Sequence, residues 1–267
     1  MRIVSADASI TEILFGLNAG SLVVGRSSLC DHPAEALQLP VFCDMQRLDE
    51  AALRKLNPDL LVAHSSLQCP IVDRAAQMGF QTLCLHHMNL EMIFNNINLL
   101  GRLTDRVQPA TRMLTEMQNS FTETMRDSAR IATQLNTRQL PPPRVLIEEW
   151  GDPPITAGRW CSQLIAYAGA QDAFPEVSNL NSPRQRTLTP EAILQRNPDI
   201  VVLAWRGFRG EVDTNKVWSR PGFIQMPAVQ RQLIFAVDDR IFMRPGPNLM
   251  EGARELVKLV RMYAQAT

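Results

Sequence analysis

The sequence predicts an α/β protein with two Rossmann-like lobes, each built on a parallel sheet, and one long α-helix that joins them. Short apolar runs alternate with amphipathic segments of helix length, which is typical of parallel sheets. The unit Asn-Pro-Asp followed by an apolar strand occurs within residues 53–64 and again within residues 193–205. Between the two copies, over residues 105–136, apolar residues recur at helical spacing without any glycine.

The first lobe, residues 1–104, begins with the strand "RIVS", a helix in "ITEILFGLNAG" and a second strand in "LVVG". A short helix over Glu50–Leu56 ends at Asn57-Pro58, because the residue before a proline is biased away from helix. The buried strand "LLVA" follows. The segments "VDRAAQM", "QTLCL" and "LEMIFNNINLLGRL" then predict a helix, a strand and a closing helix.

A linking segment, residues 105–140, predicts one uninterrupted helix from Asp105 to Asn136. At ~1.5 Å per residue such a helix is about 48 Å long. Pro109 lies in its first turns, where proline is tolerated, and the prolines at 141–143 end it. The apolar face predicted for it comprises Ala110, Met113, Leu114, Met117, Phe121, Met125, Ala129, Ala132 and Leu135.

The second lobe, residues 141–267, repeats the pattern of the first lobe. "ILQRNPDIVVLAW" matches "LRKLNPDLLVAH", and "RVLI" with "QLIAYAGA" matches the opening strand and helix. The two matches have nearly the same offset, which indicates one duplicated α/β lobe. We therefore expect a ligand cleft between the two lobes, beyond the carboxyl ends of their strands.

The composition excludes several classes of protein. The 267 residues carry 27 Lys and Arg against 27 Asp and Glu, and a neutral chain argues against nucleic acid as a partner. No apolar run approaches the ~20 residues that a membrane span needs, so we expect a chain that is not embedded in a membrane. Met1 is followed almost at once by a strand pattern, which predicts a cytoplasmic protein if Met1 is the true start.

Motifs for catalysis and for metal clusters are missing from the sequence. There is no glycine-rich phosphate loop, no GxSxG and no HExxH, so we expect no enzymatic activity and no catalytic cofactor. The five cysteines show no CxxC spacing, which argues against a zinc site or a disulfide framework. All four histidines lie in the first lobe, so a bare metal ion in the cleft would also need second-lobe carboxylates such as Glu149 or Asp152.

The predicted strand ends supply the candidate ligand-binding residues. The first lobe contributes Ser9, Leu29, Asp31, His32 and His64. The second lobe contributes a strand-to-helix turn, "EEWGDPPITAGRW", and later loops, with Trp150, Ile155, Gly158, Arg159, Trp160, Trp205, Phe208 and Arg244. Gly158 would let backbone N–H groups approach a ligand at a helix N-terminus. Core packing remains an alternative for Trp150 and Trp160, and a strand-end position without a ligand role remains one for His64, while His86 and His87 are assigned no role.

Six stretches carry a resemblance to a known family: "RIVSADASITEILFGL", "VVGRSSLCDHP", "LNPDLLVA", "DPPITAGRW", "NPDIVVLAWRGF" and "RPGPNLMEGARELV". On these the chain resembles the cobalamin-binding proteins of the helical-backbone (class III) periplasmic substrate-binding protein superfamily, in which a rigid helix joins two α/β lobes. The resemblance implies a bound cobalamin or other corrinoid, packed against Trp150, Ile155 and Trp160. By position, Leu29, His32 and His64 stand in the first lobe where the family often has aromatics, and in this departure from the family pattern His64 or His32 could ligate the metal of the ligand.

The resemblance implies a role as the substrate-binding component of an ABC importer, at the periplasm or the cell surface, or as an unexported corrinoid carrier. Two alternatives stay open: binding of haem or a ferric siderophore, for which arginines would pair with anionic groups, and an enzyme subunit on the same fold. The arginines concerned are Arg159, Arg206, Arg209 and Arg244. We expect a monomer.

In exported relatives an acidic residue on each lobe docks onto the membrane transporter. Glu191 in "TPEAIL" stands at that place in the second lobe. In the first lobe the matching place is expected at residues 68–70, which contain no carboxylate, and Asp73 lies one helical turn away. This pattern predicts a protein that binds its corrinoid but docks poorly to an importer.

Overall fold

The computed structural model describes residues 1–64 and 68–266. It divides the chain into two compact units, Met1–Glu116 and Met117–Thr267. The division falls inside the long helix, so each unit carries part of that helix, whereas the sequence assigned residues 105–140 to a segment of their own. The cleft expected between the lobes stays a prediction.

The first unit is built on a five-stranded parallel sheet with the strand order β3-β2-β1-β4-β5. Its strands are β1 Ile3–Ser5, β2 Val23–Ser27, β3 Val41–Cys43, β4 Leu60–His64 and β5 Thr82–Leu85. Its helices are α1 Ala8–Gly16, α2 Glu50–Leu56, α3 Cys69–Gln77 and α4 Leu90–Leu103. The parallel sheet and the α2 and α4 bounds agree with the sequence prediction. Phe42, Leu53, Leu61 and Ile71 lie fully buried in one apolar cluster of this unit.

The long helix, α5, runs without interruption from Val107 to Thr137. This confirms the predicted continuous helix. It begins two residues later than predicted because Asp105 has a left-handed backbone, with φ 56°.

The buried face of α5 is more polar than the sequence predicted. Met125 and Ala129 are exposed, and Thr124 and Ser128 are buried in their place. The Thr124 hydroxyl donates to the Ser120 carbonyl at 2.9 Å, and the Ser128 hydroxyl donates to the Met125 carbonyl at 2.9 Å. Because these small hydroxyls are satisfied within their own helix, they are buried without losing a hydrogen bond.

The second unit contains a mixed sheet, which corrects the prediction of a parallel one. The order is β10-β9-β6-β7, with β8 also paired to β6, and the pair β6–β7 is antiparallel while the other pairs are parallel. The strands are β6 Arg144–Gly151, β7 Pro154–Thr156, β8 Gln171–Asp172, β9 Ile200–Leu203 and β10 Ile234–Ala236. The helices are α6 Arg159–Tyr167, α7 Pro175–Ser178, α8 Pro190–Arg196, α9 Asn215–Trp218, α10 Pro227–Gln230, α11 Arg240–Met243 and α12 Leu249–Ala266.

The two Asn-Pro-Asp units end their helices in the same way. Asn57 follows α2 with φ 42° and ψ 62°, and Asn197 follows α8 with φ 50° and ψ 61°. Both are left-handed C-terminal positions, which glycine and asparagine accept most readily. The proline that follows each asparagine prevents the helix from continuing.

The aspartate of each unit ties this helix end to the central strand. The Asp59 carboxylate accepts from the Arg2 backbone N–H at 2.6 Å, and the Asp199 carboxylate accepts from the Arg144 backbone N–H at 2.9 Å. In return, the backbone N–H of each aspartate donates to the carbonyl of the same arginine at 2.8 Å. The next residues then pair β4 with β1 and β9 with β6, so the repeated motif sets the register of both sheets.

We expect Asn57→Ala and Asn197→Ala each to lower the free energy of unfolding by about 1 kcal/mol, because alanine is strained in a left-handed conformation. Asn57→Gly and Asn197→Gly are the matched controls and should retain most of the stability. Urea unfolding followed by circular dichroism measures the difference. Alanine variants as stable as the glycine variants would contradict this account of the two turns.

Candidate functional site

In the first unit, three polar side chains follow adjacent strands. Strands β1, β4 and β5 are neighbours in the sheet, and Asp7, His64 and His87 lie at or just beyond their carboxyl ends. An oxygen of Asp7, Oδ2, lies 3.4 Å from Nδ1 of His64. The rings of His64 and His87 have their centroids 4.0 Å apart and are tilted by 59°. We call these three residues the imidazole cluster.

Asp7 is held in place by the start of α1. Its Oδ1 accepts from the backbone N–H of Ser9 at 2.8 Å and of Ile10 at 3.3 Å, and also from the Ser9 hydroxyl. Oδ2 is left to face His64. Burial by itself raises the pKa of Asp7, but the electrostatic effect of His64 and the hydrogen bonds from His64 and Ser9 outweigh it, so the pKa lies well below its ordinary value. The carboxyl group is therefore ionised at neutral pH.

His87 is buried, with 2% of its surface exposed. Neither of its ring nitrogens has a hydrogen-bond partner within the described part of the chain. Burial, and next the neighbouring His64, lower the pKa of His87 well below its ordinary value, so the ring is neutral at pH 7. The sequence assigned no role to this residue.

Gln68 connects the end of β4 to the end of β1. Its side-chain oxygen accepts from the His64 backbone N–H at 2.9 Å, and its side-chain nitrogen donates to the Ala6 carbonyl at 2.6 Å. The cross-link fixes the strand end that carries His64. Residues 65–67, between these two side chains, lie outside the described residues.

The other candidate ligand-binding residues of the first unit differ from the imidazole cluster in burial and in contacts. Ser9 is buried and bonded to Asp7, so it supports the start of α1. Leu29 and His32 are exposed on the loop after β2, and Asp31 is half-buried there. Within the described residues no carboxylate is paired with His32, in contrast to His64. Their contact with a ligand stays a prediction.

In the second unit, the stretch expected as a strand-to-helix turn is a β-hairpin. Trp150 pairs with Ile155 and Gly151 pairs with Pro154 across β6 and β7. Asp152 and Pro153 form the tip, joined by a cis peptide bond. The correction has a simple cause: β6 continues past the point where the sequence ended the strand, so the second proline begins a returning strand before α6 starts.

Three aromatic residues form a cluster beside this hairpin. Phe208 contacts Trp150 and Trp205 edge-on, with ring centroids 6.2 and 5.8 Å apart. Trp150 is 41% exposed and Phe208 is 39% exposed, whereas Trp205 is buried. The Trp150 indole N–H donates to the Asp152 carbonyl at 3.0 Å, which holds the exposed ring in one orientation. We call Trp150, Trp205 and Phe208 the aromatic cluster.

A buried ion pair supports the aromatic cluster. Glu148 is fully buried and accepts from Arg220 at 2.5 Å and from the Trp205 indole N–H at 3.2 Å. Arg220 also donates to the Gly151 carbonyl at 2.9 Å, so it joins the hairpin to the later loop. Burial raises the pKa of Glu148 above its ordinary value, although Arg220 and Trp205 act against this. Gly151 is required here because a Cβ atom would overlap the Trp205 ring.

A second buried carboxylate, Glu149, is linked through an arginine to β7, the returning strand of the hairpin. Glu149 accepts from Arg186 at 2.7 Å and lies 3.7 Å from Arg206. Arg186 also donates to the Thr156 carbonyl at 3.0 Å. Glu148 and Glu149 therefore tie adjacent positions of β6 to two different arginines. The sequence showed the two carboxylates but not their partners.

The arginines proposed for an anionic ligand are partly engaged within the protein. Arg206 approaches Glu149 and donates to the Met243 carbonyl at 3.1 Å. Arg209 lies 4.0 Å from Asp239, whose carboxylate also accepts from the Arg209 backbone N–H at 3.2 Å. Arg244 is buried, and Arg159 is exposed.

Trp160 and Gly158 pack against each other. Trp160 is only 7% exposed, and its indole N–H donates to the Phe242 carbonyl at 2.8 Å. A Cβ atom on Gly158 would lie 2.8 Å from that ring. Gly158 has φ −76° and ψ 174° at the start of α6, so close packing of the indole accounts for this glycine. Ligand contact by Trp160 stays a prediction, and little of its ring is accessible for one.

Glu191 is exposed in the first turn of α8. By the repeated Asn-Pro-Asp turn, α2 is the counterpart of α8 in the first unit. Its first turn carries Glu50, which is exposed and paired with Arg74 at 2.6 Å. Docking of an importer at Glu191, and the matching place expected at residues 68–70, stay predictions.

The described residues contain neither a metal-ion cluster nor a helix suited to cross a membrane. Within 1–64 and 68–266, no three or more His, Cys, Asp or Glu side chains are grouped so that they could hold a metal ion. Over the same residues, every helix is too short or too polar to cross a membrane.

Two α/β units, a continuous helix shared between them and side-chain clusters at the sheet edges define the fold of a substrate-binding protein. The chain belongs to the periplasmic binding protein family, whose sequence model matches residues 3–241. It is a substrate-binding protein of the ABC transporter type. This confirms the fold class and the family resemblance that the sequence predicted.

Three known proteins are similar to this chain over nearly its whole length. An uncharacterised ABC transporter substrate-binding lipoprotein of Bacillus subtilis, YvrC, is 25% identical over 266 residues, covering 97% of this chain and 79% of that protein. A vitamin B12-binding protein of Vibrio cholerae is 22% identical over 264 residues, covering 98% of this chain and 89% of that protein. The structure of the periplasmic haem-binding protein RhuT from Roseiflexus sp. RS-1 has a TM-score of 0.79 and 24% identity, covering 99% and 98% of the two chains.

Arg220→Met should lower the free energy of unfolding by about 3–5 kcal/mol, because it leaves Glu148 buried without its charged partner. Adding Glu148→Gln to this variant should recover part of the loss, since a neutral amide is less costly to bury. Guanidinium unfolding followed by tryptophan fluorescence measures both. A loss within the ~0.5 kcal/mol typical of surface substitutions would contradict the supporting role of the pair.

Proposed function

We propose that this protein binds a corrinoid, cobalamin first, as the substrate-binding component of an ABC importer. The observation that carries the proposal is the aromatic cluster. Trp150 and Phe208 present exposed ring surface, while hydrogen bonds and buried ion pairs hold the surrounding loops. A rigid aromatic surface suits a large flat ligand, because apolar burial contributes about 25 cal/mol/Å² and little conformational entropy is lost.

The similarity to a vitamin B12-binding protein over 98% of this chain supports the corrinoid. The predicted match of "DPPITAGRW" to cobalamin-binding relatives falls on the hairpin that carries Trp150. We propose that the imidazole cluster of the first unit also contributes to binding. Peripheral amides of the corrin would then meet the polar groups of the neighbouring loops.

Haem is the second candidate. The pairing of His64 with Asp7 supports haem as well as a corrinoid, because an imidazole oriented by a carboxylate is a common ligand of metals in proteins. A ferric siderophore is less well supported. Two of the arginines expected to pair with its anionic groups already approach Glu149 and Asp239.

Titration with hydroxocobalamin, haemin and a ferric hydroxamate siderophore, followed by visible absorbance and calorimetry, distinguishes these ligands. We expect saturable binding of hydroxocobalamin with the highest affinity. Tight binding of haemin without binding of the corrinoid would replace the first candidate by the second. Binding of the siderophore alone would contradict both.

Trp150→Ala should weaken corrinoid binding by about 1–3 kcal/mol, because the indole supplies stacking surface in a buried contact. Trp218→Ala is the matched control: Trp218 is similarly exposed, at 38%, and makes no ring contact with the aromatic cluster among the described residues. Its affinity should equal that of the parent in calorimetry. Equal affinity of the Trp150→Ala variant would show that the hairpin is scaffold only.

Glu191 and Glu50 are the proposed docking residues for the membrane component of the importer. Exposed charges at such a contact affect the association rate as well as affinity, so Glu191→Ala and Glu50→Ala should slow association without changing corrinoid affinity. Glu116→Ala, an exposed position on α5, is the control. Surface plasmon resonance with the transporter of the same organism measures the rates. Association unaffected in both variants would contradict the docking assignment.

A further inference from the structure

We infer that His64 binds the metal of the ligand through its Nε2 atom, with Asp7 as the residue that positions the imidazole. This rests on the proposed function and deepens it, because it restricts the ligand to a metal tetrapyrrole with an exchangeable axial position. Such a metal is already held by the ring nitrogens of the macrocycle. One protein imidazole then completes its coordination.

The orientation of His64 follows from the contacts of Asp7. Oδ1 of Asp7 is occupied by the backbone N–H groups at the start of α1, which leaves Oδ2 facing Nδ1 of His64 at 3.4 Å. A carboxylate oxygen accepts hydrogen bonds, so Nδ1 is the ring nitrogen of His64 that donates toward Asp7. The lone pair is then on Nε2. This carboxylate–histidine arrangement is the one that orients histidine ligands in metal sites.

His87 is the second observation that points to a ligand. It is buried against the His64 ring, and within the described residues neither of its nitrogens has a hydrogen-bond partner. A buried polar group without a partner costs roughly 1–3 kcal/mol. Amide or carboxylate groups at the rim of a ligand would supply that partner if binding opened access to the ring, because both nitrogens are buried in this structure.

The alternatives to a metal tetrapyrrole fit this cluster less well. A bare transition-metal ion needs several protein ligands, and the described residues contain no group of three or more that could hold one. A hexadentate ferric siderophore leaves no position for an imidazole. The other histidine expected near the metal, His32, is exposed, and the described residues offer it no carboxylate partner.

Visible spectroscopy of bound aquocobalamin tests the inference directly. Replacement of the axial water by imidazole should shift the spectrum of the wild-type complex. His64→Gly should bind the corrinoid without the shift, and added free imidazole should restore it. Asp7→Asn keeps an acceptor at the start of α1 and should weaken the metal bond roughly tenfold, the range found for residues that orient a metal ligand. His86→Ala, at an exposed histidine to which no ligand role is assigned, is the control and should behave as the parent.

Cyanocobalamin provides a second arm, because cyanide already holds the exchangeable position. The wild type should prefer aquocobalamin over cyanocobalamin, and His64→Gly should bind the two equally. Titration of the wild type and of His64→Gly with haemin identifies which metal tetrapyrrole binds. If a spectral change that depends on His64 is seen with haemin and not with the corrinoid, then His64 does bind the metal and the ligand is haem.

Two outcomes would overturn the inference, and they are distinguishable. If aquocobalamin binds the wild type without a spectral shift, or if the shift persists in His64→Gly, then His64 does not bind the metal while the proposed corrinoid function stands. If neither corrinoid nor haemin binds the folded wild type, the proposed function and the inference both fail. Circular dichroism of each variant establishes that it is folded.

Discussion

The pairing between each central strand and the strand that follows the Asn-Pro-Asp turn is the constraint on which both units depend. The aspartate carboxylate and the backbone of the same residue bond to the residue that opens the central strand, Arg2 in one unit and Arg144 in the other. This two-point contact sets the register of parallel strands whose carboxyl ends lie at one edge. A slip by one residue would turn each buried side chain to the opposite face, so the clusters at that edge exist only in this register.

The side chains at the carboxyl ends of the strands differ chemically between the two units. In the first unit, the short connection after β1 carries an aspartate, Asp7, that caps α1 and faces an imidazole. In the second unit, the corresponding connection carries an additional hairpin, and the residue before α6, Gly158, provides no side-chain cap. The duplicated frame therefore carries a polar cluster of Asp7, His64 and His87 at one sheet edge and an aromatic cluster at the other. The proposed function is based on these two clusters.

In the second unit, the strand end that carries the hairpin buries charged side chains, and their desolvation is unfavourable. Glu148 and Glu149 lie inside the unit, and each is compensated by an arginine from a distant loop. Such pairs add little net stability compared with apolar packing, but a missing partner is very unfavourable. Their effect is to allow one arrangement of the hairpin and of the loop that carries Phe208. A binding surface that is already ordered loses less entropy when the ligand binds.

The sequence by itself determined the local elements: α2 at Glu50–Leu56, the continuous α5, the two Asn-Pro-Asp turns and the positions of the buried strands. These follow from helical spacing, from proline and from apolar runs, which act between near neighbours in the chain. Only the tertiary structure decided that β6 continues into a hairpin, that Arg220 meets Glu148 across 72 positions and that His87 lies against His64. Those contacts join side chains from separate loops, and their partners are selected by burial and charge after the sheets have formed. For the same reason the aromatic and histidine candidates were visible in the sequence, whereas the carboxylates and arginines that hold them were recognised only in the fold.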